Sequence, residues 1–422
     1  MDNKRSKKSE LLRELIIFLS IAGVIAIVTF AATRPPTIRN TTSYYEVAIQ
    51  PRFGFVNSFS EGLAAVGSIN ARGGIRNMGF IDERGRWVIR PRYDGVSSFS
   101  YGLALVRQGD YLGLINRNNE IVVPIEHEMI QGMRDGMGVI GRPEWTASWH
   151  DENNLGIEGI VNADGLFIPL TQYSDIAPFS EGLAVVYIDG LYGFIDREGN
   201  EVIPLRYDWA GHFREGRALF QQGELWGFVD TEGNEIIPAQ FERVFAFSEG
   251  LAPVQVNGLW GYIDRYGTMV IPPQFDQASD FSEGLAAVAQ AVEGPMGYSW
   301  GYIDRGGNIV IPFGFDAAFT FNSGVAFIWR YNWLDGNRLG GFTVDVSLIN
   351  RNGEVIIPFE TYSDMSYSEG LIAVQQAGRW GFIDITGREV VPLRFEHVMP
   401  VSEGMAAVQY RGRWGFIRIN QI

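Results

Sequence analysis

F-S-E-G-L-A-A-V (Phe281 to Val288) and W-G-F-V-D-T-E-G-N-E-I-I-P (Trp226 to Pro238) are the two halves of one block of about 34 residues. The first half recurs ten times along the 422-residue chain, around Gly62, Gly102, Gly136, Gly182, Gly216, Gly250, Gly284, Gly324, Gly370 and Gly404. A period of this size is the mark of a repeat architecture, in which each unit buries its apolar face against its neighbours. The segments are short, aromatic and β-branched, and Gly or Asp bounds them, as in L-A-V-V-Y-I-D (Leu183 to Asp189) and W-G-Y-I-D (Trp260 to Asp264). D-x-x-G, as in Asp196 to Gly199, supplies a tight turn. A third strand follows, such as E-V-I-P (Glu201 to Pro204), and its proline is expected to end the pairing. The reading is an all-β chain of about thirty short strands.

Spacing within the block says where the units differ. From the Gly of W-G to the Gly of the next F-S-E-G the distance is always 23, as from Gly79 to Gly102. Between G-L-A-A-V and W-G it is 11, or 17 in units one and seven, or 23 in units three and eight. Both additions are even. An even addition shared between two hairpin arms keeps every side chain on its original face, whereas a one-residue slip would turn a buried set outward. The inserts are therefore read as lengthened hairpins on one edge of a constant scaffold.

Outside the array, Leu15 to Thr33 is 19 residues without a charge. As a helix this spans about 28 Å, enough to cross a membrane. Lys4, Arg5, Lys7, Lys8 and Arg13 precede it and predict a cytoplasmic N-terminus. The expected organisation is a cytoplasmic tail (1–14), a transmembrane signal anchor (15–33), a linker (34–45) and the repeat array (46–422) outside the cell. Cleavage after T-F-A (Thr29 to Ala31) would instead release a secreted array. The formal net charge is −15, which disfavours nucleic acid and anionic lipid as partners of the array.

Catalytic chemistry is thin. The only lysines are Lys4, Lys7 and Lys8, so the array has no Walker A or Schiff-base lysine, and there is no cysteine. His127, His150, His212 and His397 form no metal-ligand spacing. Carboxylates remain: the Glu of F-S-E-G (Glu61, Glu181, Glu249, Glu283, Glu403) and the Asp of G-F-I-D (Asp82, Asp196, Asp230, Asp304, Asp384). A carboxylate pair could serve a glycosidase, but an active site is needed once and a turn in every unit. The recurrence points to structure. No catalytic, metal or cofactor site is expected. The W-G pairs (Trp226, Trp260, Trp300, Trp380 and Trp414 with the following Gly) read as rings wedged between units, with Gly admitting a close backbone. The inserts supply the candidate site: Trp329, Tyr331 and Trp333 alternate in unit eight, and unit three carries Trp145 and Trp149. An aromatic strip of this kind suits protein or glycan recognition, and the rings would otherwise be covered by a neighbouring unit.

The block G-L-W-G-Y-I-D-R-Y-G-T-M-V-I-P-P-Q-F-D (Gly258 to Asp276) followed by F-S-E-G-L-A-A-V resembles the WG (Trp-Gly) β-repeat family of bacterial proteins. The similarity covers about residues 46–419. It implies a β-rich, often surface-associated repeat protein without an established catalytic role. Units three and eight depart from the pattern, with Glu158-Gly159 and Val346-Ser347 in place of W-G. Three strands are few for a propeller blade and ten blades make a large ring, so the expected architecture is an open or superhelical β array, with a β-propeller as the alternative. The expected function is a non-enzymatic, membrane-anchored surface scaffold that binds a protein or cell-envelope glycan. The alternatives are a wall hydrolase and a passive spacer.

Overall fold

A computed structural model describes residues 44–69, 75–141, 156–293, 297–333, 342–359 and 361–420. These form ten four-stranded antiparallel sheets, each one repeat, arranged as the blades of a closed β-propeller. Blades are numbered one to ten in the order of the ten glycines above. Blade six shows the plan: an inner strand Arg243–Val244, a second Leu251–Val256, a third Leu259–Asp264 and an outer Met269–Phe275. Its second and third strands meet at Asn257-Gly258, both with positive φ (53° and 79°), the two-residue turn that matches strand twist. The D-x-x-G turn then reverses the chain. The Asp264 carboxylate accepts from the Tyr266 and Thr268 amides at 2.9 and 2.8 Å, fixing a turn that Gly267 closes at φ 83°.

Two expectations about the blade are corrected. A fourth strand exists in every sheet, giving forty strands rather than about thirty among the described residues. In most blades it is only two residues long and lies at the sheet's inner edge, too short for any periodicity to mark it. Nor does proline end the third repeat strand in eight of the ten blades, although Phe167–Pro169 and Val355–Ile357 do stop at or before theirs. Glu201–Tyr207 runs through Pro204, and pairing resumes at Tyr207 opposite Tyr192 after a bulge. This is the outermost strand, where a missing N–H costs no ladder bond.

The bulge explains the W-G glycine. A β-carbon on Gly261 would stand 2.4 Å from the Ile271 carbonyl oxygen, and one on Gly227 2.4 Å from that of Ile237. The backbone that comes close is thus the outer strand of the same blade. In blade eight Ser347 fills this place, fully buried, and its hydroxyl donates to the Ile357 carbonyl at 2.6 Å. The tryptophans sit between blades as expected. Trp260 is buried in the cluster joining blades six and seven, and Trp226, Trp380 and Trp414 pack against the clusters on their own next junctions.

The array is a ring, not an open or superhelical array. Blade ten draws its inner three strands from His397–Val398, Met405–Tyr410 and Arg413–Ile419, and its outer strand from Tyr45–Phe53. Tyr45 pairs with Ile419 and Val47 with Ile417, so opposite ends of the array complete one sheet. Each of the ten apolar clusters bridges two consecutive blades, and Ile49, Phe59, Ala64 and Phe416 join blade ten to blade one. Burying that last pair of faces is what closure adds over an open array.

The inserts behave as even extensions in blades seven and eight. There the register runs unbroken from Leu285↔Asp304 to Ala291↔Tyr298 and from Val325↔Asn350 to Trp333↔Phe342. Blade one's longer hairpin contains an irregularity between Gly67 and Ile69. The expected membrane segment at 15–33 and most of the blade-three insert lie outside the described residues.

Candidate binding face

The propeller has two unlike faces, and the repeat explains one of them. F-S-E-G sits at the inner-to-second turn and D-x-x-G at the third-to-outer turn, both on one face. The second-to-third hairpins, where all length variation falls, lie on the other.

On the first face F-S-E-G is a clasp between blades. Its Glu adopts positive φ, 54° at Glu181 and Glu215, which turns the carboxylate toward the following blade. Glu181 accepts from the amides of Glu215 and Gly216 at 2.7 and 2.8 Å, and Glu215 from those of Glu249 and Gly250 at 2.7 and 2.9 Å. Glu403 accepts from Gly62 at 2.8 Å across the ring closure. The serine adds a second tie, with Ser248 donating to the Phe281 carbonyl and Ser402 to that of Phe59. A carboxylate of one blade reaches the next blade's amides at eight of the ten junctions. The other two have Tyr101 and Ser323 in the Glu position. Burial pushes the Glu215 carboxyl up, but the Arg265 guanidinium at 2.8 Å and the two amides outweigh it and hold it below its ordinary value. The Asp of G-F-I-D is equally occupied: Asp196 accepts from Glu198 and Asn200 within its own turn. These recurring carboxylates hold the frame.

On the other face the side chains differ from blade to blade. In blade eight, Trp329 is half-buried against Phe319 (ring centroids 4.6 Å apart), and Tyr331 lies 6.2 Å from Trp329 and 5.1 Å from Phe342. Phe319 and Phe342 are 39% and 48% exposed, so the cluster is open to solvent at both ends. These ring contacts all join residues of blade eight. The opposite side of the same hairpin is polar: Arg330 pairs with Asp345 at 2.8 Å and Asn332 donates to the same carboxylate, while the Tyr331 amide donates to Asp316 at 2.9 Å. Hydrogen bonding from Arg330 holds Asp345 below the ordinary carboxylate range against the opposing effect of burial. Backbone pairing with Phe342 carries the strand through Trp333. Trp145 and Trp149 lie outside the described residues.

Sequence reading missed the inner-strand aromatics on this side. Phe245 and Phe319 occupy a place where other repeats carry Asn57, Ser97, Ala177 or Ser279, and Trp209 leans on Trp226 at 5.3 Å. The available signal was a large ring where its counterparts are small or polar.

A closed ring of blades with one shared, clasped face and one variable face is a β-propeller. The chain belongs to the WG containing repeat family, whose pattern matches residues 46–67, 78–111, 164–192, 192–226, 226–260, 260–290, 300–328, 347–380 and 380–414. No curated protein matches it. Solved structures with a similar fold include the eukaryotic initiation factor, 10% identical over 74% of this chain and 92% of that one, TM-score 0.46. Kluyveromyces lactis Hsv2p is 13% identical over 58% and 97%, TM-score 0.29. The Neurospora crassa Pan2 WD40 domain is 14% identical over 59% and 90%, TM-score 0.29.

Proposed function

We propose that this protein is a non-enzymatic binding scaffold, anchored in the membrane by residues 15–33, whose hairpin face engages a protein or glycan of the cell envelope. One observation carries the reading. The carboxylates common to the repeats are spent on holding blades and turns, while solvent-open aromatic groups lie on the face where repeats differ. Large rigid rings are what binding surfaces use to gain contact area at small entropic cost.

The geometry of attachment supports the same direction. Ile419 donates to the Gly404 carbonyl at 2.9 Å, which puts that end of blade ten on the clasp face. Tyr45 pairs with Ile419, so the chain enters the outermost strand at the rim of that face. An anchor before Tyr44 would hold the clasp side toward the membrane and leave the hairpins outward.

Co-sedimentation of the protein with isolated cell envelopes tests this. Binding that disappears in the combined Trp329→Ala, Tyr331→Ala, Trp333→Ala variant, with the fold intact, supports it. Binding that persists in that variant places the contact elsewhere, and release of soluble wall fragments would turn the reading toward a hydrolase.

A further inference from the structure

A second site lies apart from the blade-eight hairpin, in a groove of about 450 Å³ on the hairpin side where blades five, six and seven meet. Its floor is aromatic. Phe245 lies over Trp260 with ring centroids 4.9 Å apart and planes 8° from parallel, and Trp226 forms the adjoining wall from blade five. Trp260 is buried beneath this stack, while Phe245 is 46% exposed, so the face offered to solvent is a flat ring rigidly backed by a second. Such a pair keeps its orientation without spending entropy when something settles on it.

The groove's polar groups are of mixed kind. Gln221 of blade five and Gln277 of blade seven line opposite sides, each with a donor amide and an acceptor carbonyl. Arg243 and Glu224 add one cation and one anion. The second carboxylate there, Glu242, is already committed, accepting from the amides of Asn257 and Gly258 at 2.9 Å each. We infer that this groove binds a neutral pyranose ring, whose apolar C–H face lies on Phe245 and whose hydroxyls meet the two glutamines and the rim charges.

Other occupants fit less well. A quaternary ammonium is drawn to an aromatic face, but here the Arg243 guanidinium stands in the same groove and opposes it. A nucleotide could stack its base on Phe245, yet its phosphates would face Glu224 and Glu242 on a chain of net charge −15. A neutral polyol uses both signs of charge and both amides. The volume lies within the range of small-ligand sites and exceeds what one ring fills, so a short oligosaccharide is accommodated with one residue stacked.

The test uses the full-length protein and saturation-transfer NMR with methyl glycosides of glucose, galactose, mannose and N-acetylglucosamine. Tetramethylammonium and adenosine monophosphate are run beside them. The expected result is transfer to the ring protons of at least one glycoside, with millimolar affinity. Phe245→Ala weakens it at least tenfold, and Phe245→Tyr retains it. Should Phe245→Ala fold poorly, Phe245→Leu keeps the volume without the flat face and gives the same loss. The tenfold loss on Phe245→Ala is expected in the Trp329→Ala, Tyr331→Ala background as well, which separates this groove from the blade-eight surface. No transfer from any glycoside up to tens of millimolar, transfer indifferent to Phe245, or preferential binding of either control ligand would overturn the assignment.

Discussion

Replacing Glu215 tests the clasp in isolation, because three substitutions there separate its parts. Its carboxylate holds two amides of blade six and pairs with Arg265, whose side chain is about half exposed (49%) whereas that of Glu215 is 26% exposed. Charge-assisted hydrogen bonds contribute about 1.5–3 kcal/mol each when well shielded, and the exposed ion pair adds less than about 1 kcal/mol. With partial solvation of both amides, Glu215→Ala should cost about 3 kcal/mol. Ala inherits the strain of φ 54°, whereas Gly does not. Glu215→Gly should therefore recover about 1 kcal/mol of the loss. Glu215→Gln keeps one acceptor oxygen and loses the charge, and should cost about 1–2 kcal/mol. The predicted order of stability is parent, Gln, Gly, Ala. Equilibrium urea unfolding followed by tryptophan fluorescence reads it. An Ala variant within about 0.5 kcal/mol of the parent would mean that water replaces the carboxylate without loss, and the clasp argument would fail. A Gly variant below Ala would refute the strain argument alone.

Three further outcomes follow from the same geometry. Tyr101→Glu supplies the missing carboxylate between blades two and three and should raise stability by about 1 kcal/mol, read as a higher urea midpoint. Gly261→Ala drives a β-carbon against the Ile271 carbonyl and should cost about 3 kcal/mol or more, whereas Ser347→Ala at the matching place loses one hydrogen bond and should cost about 1–2 kcal/mol; thermal unfolding of the two distinguishes clash from bond. Glu215 and Asp135 both titrate below their ordinary values of 4.5 and 3.8, so their contribution is complete above that range and is lost as the pH falls through the lowered values. Acid titration of stability should thus be shallower in Glu215→Gln than in the parent, and coincident curves would contradict it.

Much of this fold was legible in single residues. The even inserts kept their register in blades seven and eight because side chains alternate with period two, and Gly261 was readable as a close approach because nothing larger fits. Other parts left no such trace. Arg243–Val244 is a strand by virtue of its neighbours, since two residues carry no period. Pro204 reads as a stop when its position at a free edge is unknown. Ring closure is a relation between Tyr45 and Ile419; an array that starts on a third-type strand (Glu46 to Gln50) and ends on a hairpin (Met405 to Arg418) permits it, but no local pattern requires it. Glu181 was recognisable as structural from recurrence alone, but not that it reaches forward to the next blade, because that depends on a positive φ at a non-glycine residue. The blade-eight aromatics were visible as an alternation, whereas Phe245 stood out only against its counterparts in other repeats.

Borrowing the last blade's outer strand from the start of the array has a consequence in time. During synthesis, Tyr45–Phe53 emerges first, and its partner Arg413–Ile419 follows about 360 residues later. At ribosomal rates of about 5–20 residues per second, the leading strand waits roughly 20 to 70 s for its place. Through that interval it is an unpaired edge, with Tyr45, Ile49 and Phe53 bare of the cover they have in the ring. Its alternation with Glu46, Gln50 and Arg52 gives it a charged or polar side that hinders pairing with another copy. Whatever accompanies the nascent chain has this one strand to shield until the circle is made.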